Sequence, residues 1–285
     1  MTKKVLKQIF PWVGGKRIVR KTLMKYIPED PEVYVEPFLG SGTILLALQP
    51  RRAIVNDINP WLTMLWHICS HHIDEVKRFA EHKDDTRELY EKCLKEFNEM
   101  APVLQHEIPR KWHSQQPCSC STELVKASIQ YYFLQRMTFG ARSCFRKDGT
   151  LQASYGQVMR AKHLYYTPNY QKVHEYLRSS DITFTVGCYT EVRVPKNAFM
   201  YLDPPYCSYN SRNVTVYGRT INQEEVAKWA KSHGVPFVQS NMWTENIKEL
   251  YSDCSLYPFE VKRSLVNSVT AKRDNEAIIV YVPKE

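Results

Sequence analysis

A strand, a glycine turn, a helix and a second strand follow one another between residues 33 and 57, and this run constrains the fold more than any other stretch. Val33-Tyr34-Val35 suits a short buried strand, Gly40-Ser41-Gly42 a turn, and Thr43 to Leu48 the start of a helix. Ala53-Ile54-Val55 supplies the next strand, ending at Asn56-Asp57. Strands joined through a helix in this way make half of a doubly wound α/β unit. Strand signals return at Ile182 to Val186, Ala198 to Leu202, Val235 to Val238 and Glu276 to Val282. The expectation is one α/β domain built from residues 1–60 and 180–285, with residues 61–179 inserted as a lobe.

The inserted segment is mostly helical. Leu62 to Met100 is polar and charged, with little strand signal, and Pro109 to Ser121 reads as a loop. Val125, Ile129, Tyr132, Phe133 and Met137 then repeat at helical spacing, with Thr122 as the expected N-cap. Further on, Thr220-Ile221-Asn222-Gln223 has capping-box spacing and opens a helix expected to stop at Gly234, before Pro236.

Composition excludes several classes. The apolar stretches are too short to span a bilayer, and no apolar segment of signal-peptide length follows the basic Met1-Thr2-Lys3-Lys4. The eight cysteines lack a regular framework and read as free thiols in a reducing cytoplasm. A net charge of +9 argues weakly for a polyanionic partner. Its distribution says more. From Arg136 to His163 there are Arg136, Arg142, Arg146, Lys147, Arg160 and Lys162 against the single acid Asp148, interleaved with Phe139, Phe145 and Tyr155. Cations beside ring faces suit phosphate contacts and support of an unstacked strand, where a solvated basic loop is the alternative.

Two stretches carry chemistry. Glu36-Pro37-Phe38-Leu39-Gly40-Ser41-Gly42 leaves a strand and enters a helix, so Gly40 and Gly42 let the backbone approach a ligand at the carboxyl end of the sheet. Asp57 ends the next strand, where a carboxylate accepts hydrogen bonds from ribose hydroxyls or else caps the helix after Asn59-Pro60. Upstream, Pro11-Trp12-Val13-Gly14-Gly15-Lys16-Arg17 offers close backbone approach and a lysine for a ligand carboxylate. In the second stretch, Met200-Tyr201-Leu202 delivers Asp203 to a sheet edge, and Pro204-Pro205 stiffen the backbone ahead of Tyr206. A conjugated amino group such as N6 of adenine is a poor nucleophile. Asp203 and the Pro204 carbonyl can each accept one amino hydrogen, drawing the nitrogen toward tetrahedral geometry and aiming its lone pair at a sulfonium methyl. Tyr206 would stack on an adenine rotated out of the duplex.

Trp12-Val13-Gly14-Gly15-Lys16, Glu36 to Gly42, Asn56-Asp57-Ile58-Asn59 and Asp203-Pro204-Pro205-Tyr206 together resemble the Dam-like (D12 class) family of DNA adenine-N6 methyltransferases. Gln239-Ser240-Asn241 and Lys262-Arg263-Ser264 are similar to its later, less specific segments. The resemblance implies a Rossmann-like S-adenosylmethionine-dependent methyltransferase sheet with an inserted, mostly helical DNA-recognition lobe. It implies that Trp12, Lys16, Asp57 and Asp203 line the cofactor pocket with Phe38 beside it, and that double-stranded DNA is the partner. Arg136-Met137-Thr138-Phe139-Gly140 and Arg142 to Gly149 resemble the family's DNA-reading hairpin. Where the Dam enzymes it resembles carry Tyr-Asn-Gly, this chain has Phe139-Gly140-Ala141, so GATC specificity does not transfer. A base-reading arginine at Arg142 or Arg146 remains open, and Arg136 and Lys147 join them as expected DNA contacts.

His106, His113, Cys118 and Cys120 raise a zinc site, but the chemistry requires no metal and the stretch reads as a surface loop; none is expected. His67, His71 and His72 fall at helical spacing and read as buried or solvated side chains, not ligands. A monomer is expected. Two other readings compete: an amino methyltransferase of RNA or of a protein amide, and a nucleic-acid-binding relative without activity.

Overall fold

The computed structural model describes residues 4–81, 86–156, 167–206, 213–216, 219–263 and 272–283. The chain begins with a short helix α1 (Arg20–Leu23), then β1 (Val33–Glu36), α2 (Thr43–Leu48) and β2 (Arg52–Asp57). Next come α3 (Pro60–His71), α4 (Ile73–Glu81), α5 (Arg87–Leu104), β3 (Lys111–His113) and α6 (Thr122–Met137). A hairpin of β4 (Thr138–Phe145) and β5 (Leu151–Tyr155) leads to α7 (Pro168–Ser179), β6 (Asp181–Val186) and β7 (Ala198–Leu202). A second hairpin, β8 (Asn213–Val216) and β9 (Arg219–Asn222), precedes α8 (Gln223–Ser232), β10 (Phe237–Met242), α9 (Glu245–Leu250), β11 (Ser255–Arg263) and β12 (Lys272–Tyr281).

Eight strands form the central sheet in the order β11-β12-β10-β7-β1-β2-β6-β3. The inner strands β10, β7, β1, β2 and β6 run parallel, and β12, β11 and β3 are antiparallel additions at the edges. All five residues of β7 and all four of β1 are buried, the continuous apolar pattern of strands covered on both faces. This is the Rossmann-like sheet that the resemblance implied. Successive strands step away from β1 in one direction through β2 and in the other through β7, so the order reverses between β1 and β7. In open α/β sheets ligands bind outside the carboxyl ends of the strands at such a reversal. Both chemistry-bearing stretches leave the sheet there, one from the end of β1 and one from the end of β7.

Several local expectations shift. The Pro109–Ser121 loop contains β3, which pairs with β6 because Trp112 stacks on its cross-strand neighbour Phe184 at 3.9 Å between ring centroids. Such aromatic pairs add about 0.5–1.5 kcal/mol beyond their buried area. The middle segment therefore gives a strand to the central sheet, and its helices share one apolar core with the first α/β unit. Ser121, not Thr122, caps α6, accepting from the Leu124 amide at 3.3 Å. Asn222, not Thr220, caps α8, accepting from the Glu224 amide at 2.8 Å. Gly234 follows α8 at φ 61°, as its place before Pro236 suggested.

Candidate active site

A cleft of about 670 Å³ opens at the β1/β7 reversal. The Pro37–Ser41 turn forms one wall, Asp57 and Ile58 the floor beyond β2, Asp203 to Tyr206 the opposite wall, and Trp12 to Lys16 the rim. Gly40 sits at φ 49°, and a side chain there would meet the Trp12 indole at 3.3 Å. The Gly40 amide donates to Asp57 at 3.0 Å, and the Asn59 amide donates to the other Asp57 oxygen at 2.9 Å. Asp57 thus ties the glycine turn to the start of α3, whose N-cap is Asn59. Asp57 faces the cleft and supports the helix start, but the cap itself is Asn59. Burial pushes its carboxyl up to about 6, against the lowering effect of the backbone amides.

Gly42 is absent from the lining. At φ 58° it caps α2, and a Cβ there would strike the Trp66 indole at 2.6 Å. Its glycine is required by packing, in place of the close ligand approach expected from sequence. Phe38 lines the cleft and leans on Tyr189 with ring centroids 5.2 Å apart.

Asp203 is the best-supported side chain of the opposite wall. Lys16 Nζ lies 2.7 Å from Asp203 Oδ1, and Ser240 Oγ donates to the same oxygen at 2.9 Å. Tyr201, one strand residue from Leu202, pairs its hydroxyl with Ser240 at 3.0 Å. Burial pushes Asp203 above the usual carboxylate range even with Lys16 beside it. Tyr206 donates its hydroxyl to Glu276 at 3.1 Å, and Lys16 Nζ stands 4.7 Å from the centre of its ring. Gln223 Nε2 donates to the Pro205 carbonyl at 3.0 Å and is itself fixed by Asn241. Sequence reasoning noted Ser240 only within the Gln239-Ser240-Asn241 segment and missed it and Glu276 as supports, because both reach the wall from distant strands. It also gave Lys16 to a ligand carboxylate, whereas here Lys16 is paired with Asp203 and with the Gly14 carbonyl at 3.2 Å.

The arginines of the lobe separate into two groups. Arg136 is half-buried, donates to the Ile9 carbonyl at 2.6 Å and covers the Tyr132 ring, so its guanidinium holds the N-terminal segment against α6. Arg142, Arg146 and Lys147 are exposed on the β4–β5 hairpin. That hairpin starts with a break in register between Thr138 and Ser143, where Gly140 and Ala141 adopt φ 60° and 56°. Ala141 and Ser143 reach the cleft, so the root of the hairpin borders the same cavity as Asp203. Arg160, Lys162 and Ser264 lie outside the described residues.

The zinc quartet raised from sequence does not assemble. His106 is exposed, and His113 Nε2 is bound to Asp181 at 2.7 Å. Cys118 and Cys120 meet His72 and His67 instead. No helix among the described residues is long and apolar enough to cross a membrane.

Comparison with known proteins decides the family. Residues 12–265 match the D12 class N6 adenine-specific DNA methyltransferase family. The chain belongs to that family. DNA adenine methylase of Vibrio cholerae is 23% identical over 288 residues, covering 95% of each chain. Those of Escherichia coli K12 and Serratia marcescens are each 24% identical, covering 95% of this chain and 94% and 96% of theirs. As a member of this family the protein is an adenine-specific DNA methyltransferase.

Proposed function

We propose that the cleft binds S-adenosylmethionine against the β1 turn and receives a target adenine, rotated out of duplex DNA, against Asp203-Pro204-Pro205-Tyr206. The observation that carries this reading is Asp203 at the strand reversal, held by Lys16 and Ser240 beside the Tyr206 ring. The donor set suits the cofactor. Among the described residues Glu36, Asp57, Asp203 and Glu225 line the cleft against the single lysine Lys16, and a ligand with a sulfonium and an ammonium is favoured by that balance. When bound, the cofactor supplies an electrophilic methyl group.

The chain's own residues do the rest. Asp57 accepts from the ribose hydroxyls, Gly40 leaves room beneath the Trp12 indole, and Phe38 offers a flat apolar wall. An ammonium has three donors, and two of those on Lys16 go to Asp203 and the Gly14 carbonyl. The third serves the cofactor carboxylate, so Lys16 links the donor to the residue that orients the acceptor. Asp203 and the Pro204 carbonyl hold the two N6 hydrogens of adenine. Tyr206, anchored through Glu276, presents its face to the base. Asp203 acts by orientation and fixed charge rather than as a strong base.

Target recognition falls to the part of residues 61–179 that carries the β4–β5 hairpin, with Arg142, Arg146 and Lys147 as its DNA contacts. The chain would work as a monomer. The test is a transfer assay with labelled S-adenosylmethionine and duplex DNA, the digest being examined for N6-methyladenine. Cofactor binding that survives Asp203→Ala while transfer is lost supports the assignment. Full transfer by that variant removes Asp203 from the site.

A further inference from the structure

Away from the cleft, two histidines and two cysteines converge where α3 meets α4 and where the chain comes into α6. The ligating atoms of His67, His72 and Cys118 all lie within 4.8 Å of one another. His72 Nε2 is 3.3 Å from Cys118 Sγ, and Cys120 Sγ is 3.7 Å from His67 Nε2. Cys120 stands outside that trio and joins it through His67 and through its own amide, 3.2 Å from Cys118 Sγ. We infer that these four side chains form a tetrahedral zinc site that clips the α3–α4 junction to the start of α6.

The spacing is the first argument. Zinc at about 2.3 Å from sulfur and 2.0–2.1 Å from nitrogen, with tetrahedral angles, puts S and N about 3.6 Å apart. The two S···N distances straddle that value. The chemistry of the ligand set is the second. Two sulfurs and two imidazole nitrogens make a closed tetrahedral shell, which zinc fills without redox chemistry.

The surroundings are the third argument. The Cys120 amide points at Cys118 Sγ from 3.2 Å, the backbone donation that stabilises a metal-bound thiolate. His72 turns its other nitrogen, Nδ1, toward Glu75 at 3.4 Å, the outer carboxylate that orients a ligating imidazole. His67 is buried against the edge of Trp112, which fixes its ring. Neighbouring hydrogen bonds already order the segment: Ser70 Oγ and an Arg178 nitrogen both donate to the Ser114 carbonyl, and His71 Nε2 lies 2.8 Å from the Gln116 carbonyl. Cys118, Cys120 and His72 are half-buried, so an ion has a way in. Sequence reading grouped the cysteines with His106 and His113 and dismissed the set; the fold supplies different histidines, five residues apart on α3 and its C-cap.

The test uses the untagged full chain, expressed with zinc in the medium and purified without chelator. Elemental analysis should give about one zinc per chain. X-ray absorption at the zinc edge should show two sulfur and two nitrogen neighbours. Cobalt exchanged into the protein should give tetrahedral visible bands with a thiolate charge-transfer band. Cys118→Ser with Cys120→Ser should drop zinc at least tenfold, whereas His106→Ala should keep all of it. Substoichiometric zinc with no tetrahedral cobalt spectrum, a shell of oxygen and nitrogen only, a Cys118–Cys120 disulfide in the isolated protein, or zinc retained by the double variant would each overturn the site. The absorption and cobalt measurements need no variant, so a misfolded mutant leaves them decisive.

Discussion

The Asp203 wall and the β4–β5 hairpin border the same cavity, yet they are built in opposite ways. Around Asp203 each polar group is held by another: Lys16 and Ser240 on the carboxylate, Glu276 on Tyr206, Gln223 on the Pro205 carbonyl. On the hairpin, Arg142, Arg146 and Lys147 stand exposed, and Arg146 reaches only as far as Thr150, at 3.3 Å. Fixed dipoles in a buried wall need no rearrangement at the moment of reaction. Solvated cations contribute little to the free protein and gain their value when phosphate arrives. On the proposed reading, chemistry is concentrated in one carboxylate and recognition is spread over several exposed side chains.

Removing single groups breaks that contrast most sharply. Asp203→Ala should lower the single-turnover methyl-transfer rate by about 10³-fold or more, a loss of about 4 kcal/mol. Ser240→Ala should cost far less, because Lys16 still holds the carboxylate. Circular dichroism should show both variants folded. Comparable losses from the two substitutions would mean that Asp203 has no special place in the cleft.

On the hairpin the expected effects are smaller and distinguishable. If Arg142 or Arg146 reads a guanine edge, its alanine variant loses about 1–3 kcal/mol on the preferred site and tolerates changes at one base. If it contacts only phosphate, binding weakens evenly across sequences and the slope of log K against log salt falls by about one. Sequencing of methylated adenines from cells expressing each variant, with salt titrations of DNA binding, separates the two. Arg136→Ala should instead lower stability, since its guanidinium serves the Ile9 carbonyl.

The same contrast governs how much was legible in advance. The walls of the cleft are local: a strand, its terminal carboxylate and the turn that follows sit together in sequence, so Gly40, Asp57 and Asp203 are all visible without coordinates. Supports that cross the sheet are not. Ser240 and Glu276 lie on β10 and β12, and only the pairing of Ser240 with Ile278, which sets the two strands in register, brings them to the cleft. The short β3 was missed because three residues show no periodicity, and its stability comes from Trp112 meeting Phe184 across strands. Arg136 was misassigned because charge patterning cannot tell a cation facing solvent from one satisfied by a distant carbonyl. Gly42 was correctly seen as a turn glycine but for the wrong neighbour, the Trp66 indole.

Protonation offers a gentler probe of the buried wall. With Asp57 raised to about 6, the free protein carries this carboxyl neutral below that pH and ionised above it. Neutral Asp57 loses a charged acceptor for ribose hydroxyls. Cofactor affinity should therefore be flat above about pH 6 and fall by up to tenfold per unit below it, the slope for one proton. Isothermal titration across that range measures it. Asp57→Asn should bind more weakly and remove the break. A break that persists in that variant belongs to Asp203 or Glu36, which burial also raises.

The smallest expected effect lies where hairpin and cleft join. Ala141 holds φ 56°, a backbone region that costs an L-residue about 1–2 kcal/mol, directly after Gly140 at φ 60°. Ala141→Gly removes that strain but frees the unfolded chain by about 0.4–1 kcal/mol. The net gain should be about 0.5–1 kcal/mol, read as a rise of one to three degrees in Tm. Strain persists at a position only when its surroundings enforce it, and here Ala141 lines the cavity. The glycine variant should therefore be more stable and less selective among target sequences. A fall in Tm would show that the methyl group contributes packing worth more than the strain, and the root of the hairpin would then belong with the rigid wall.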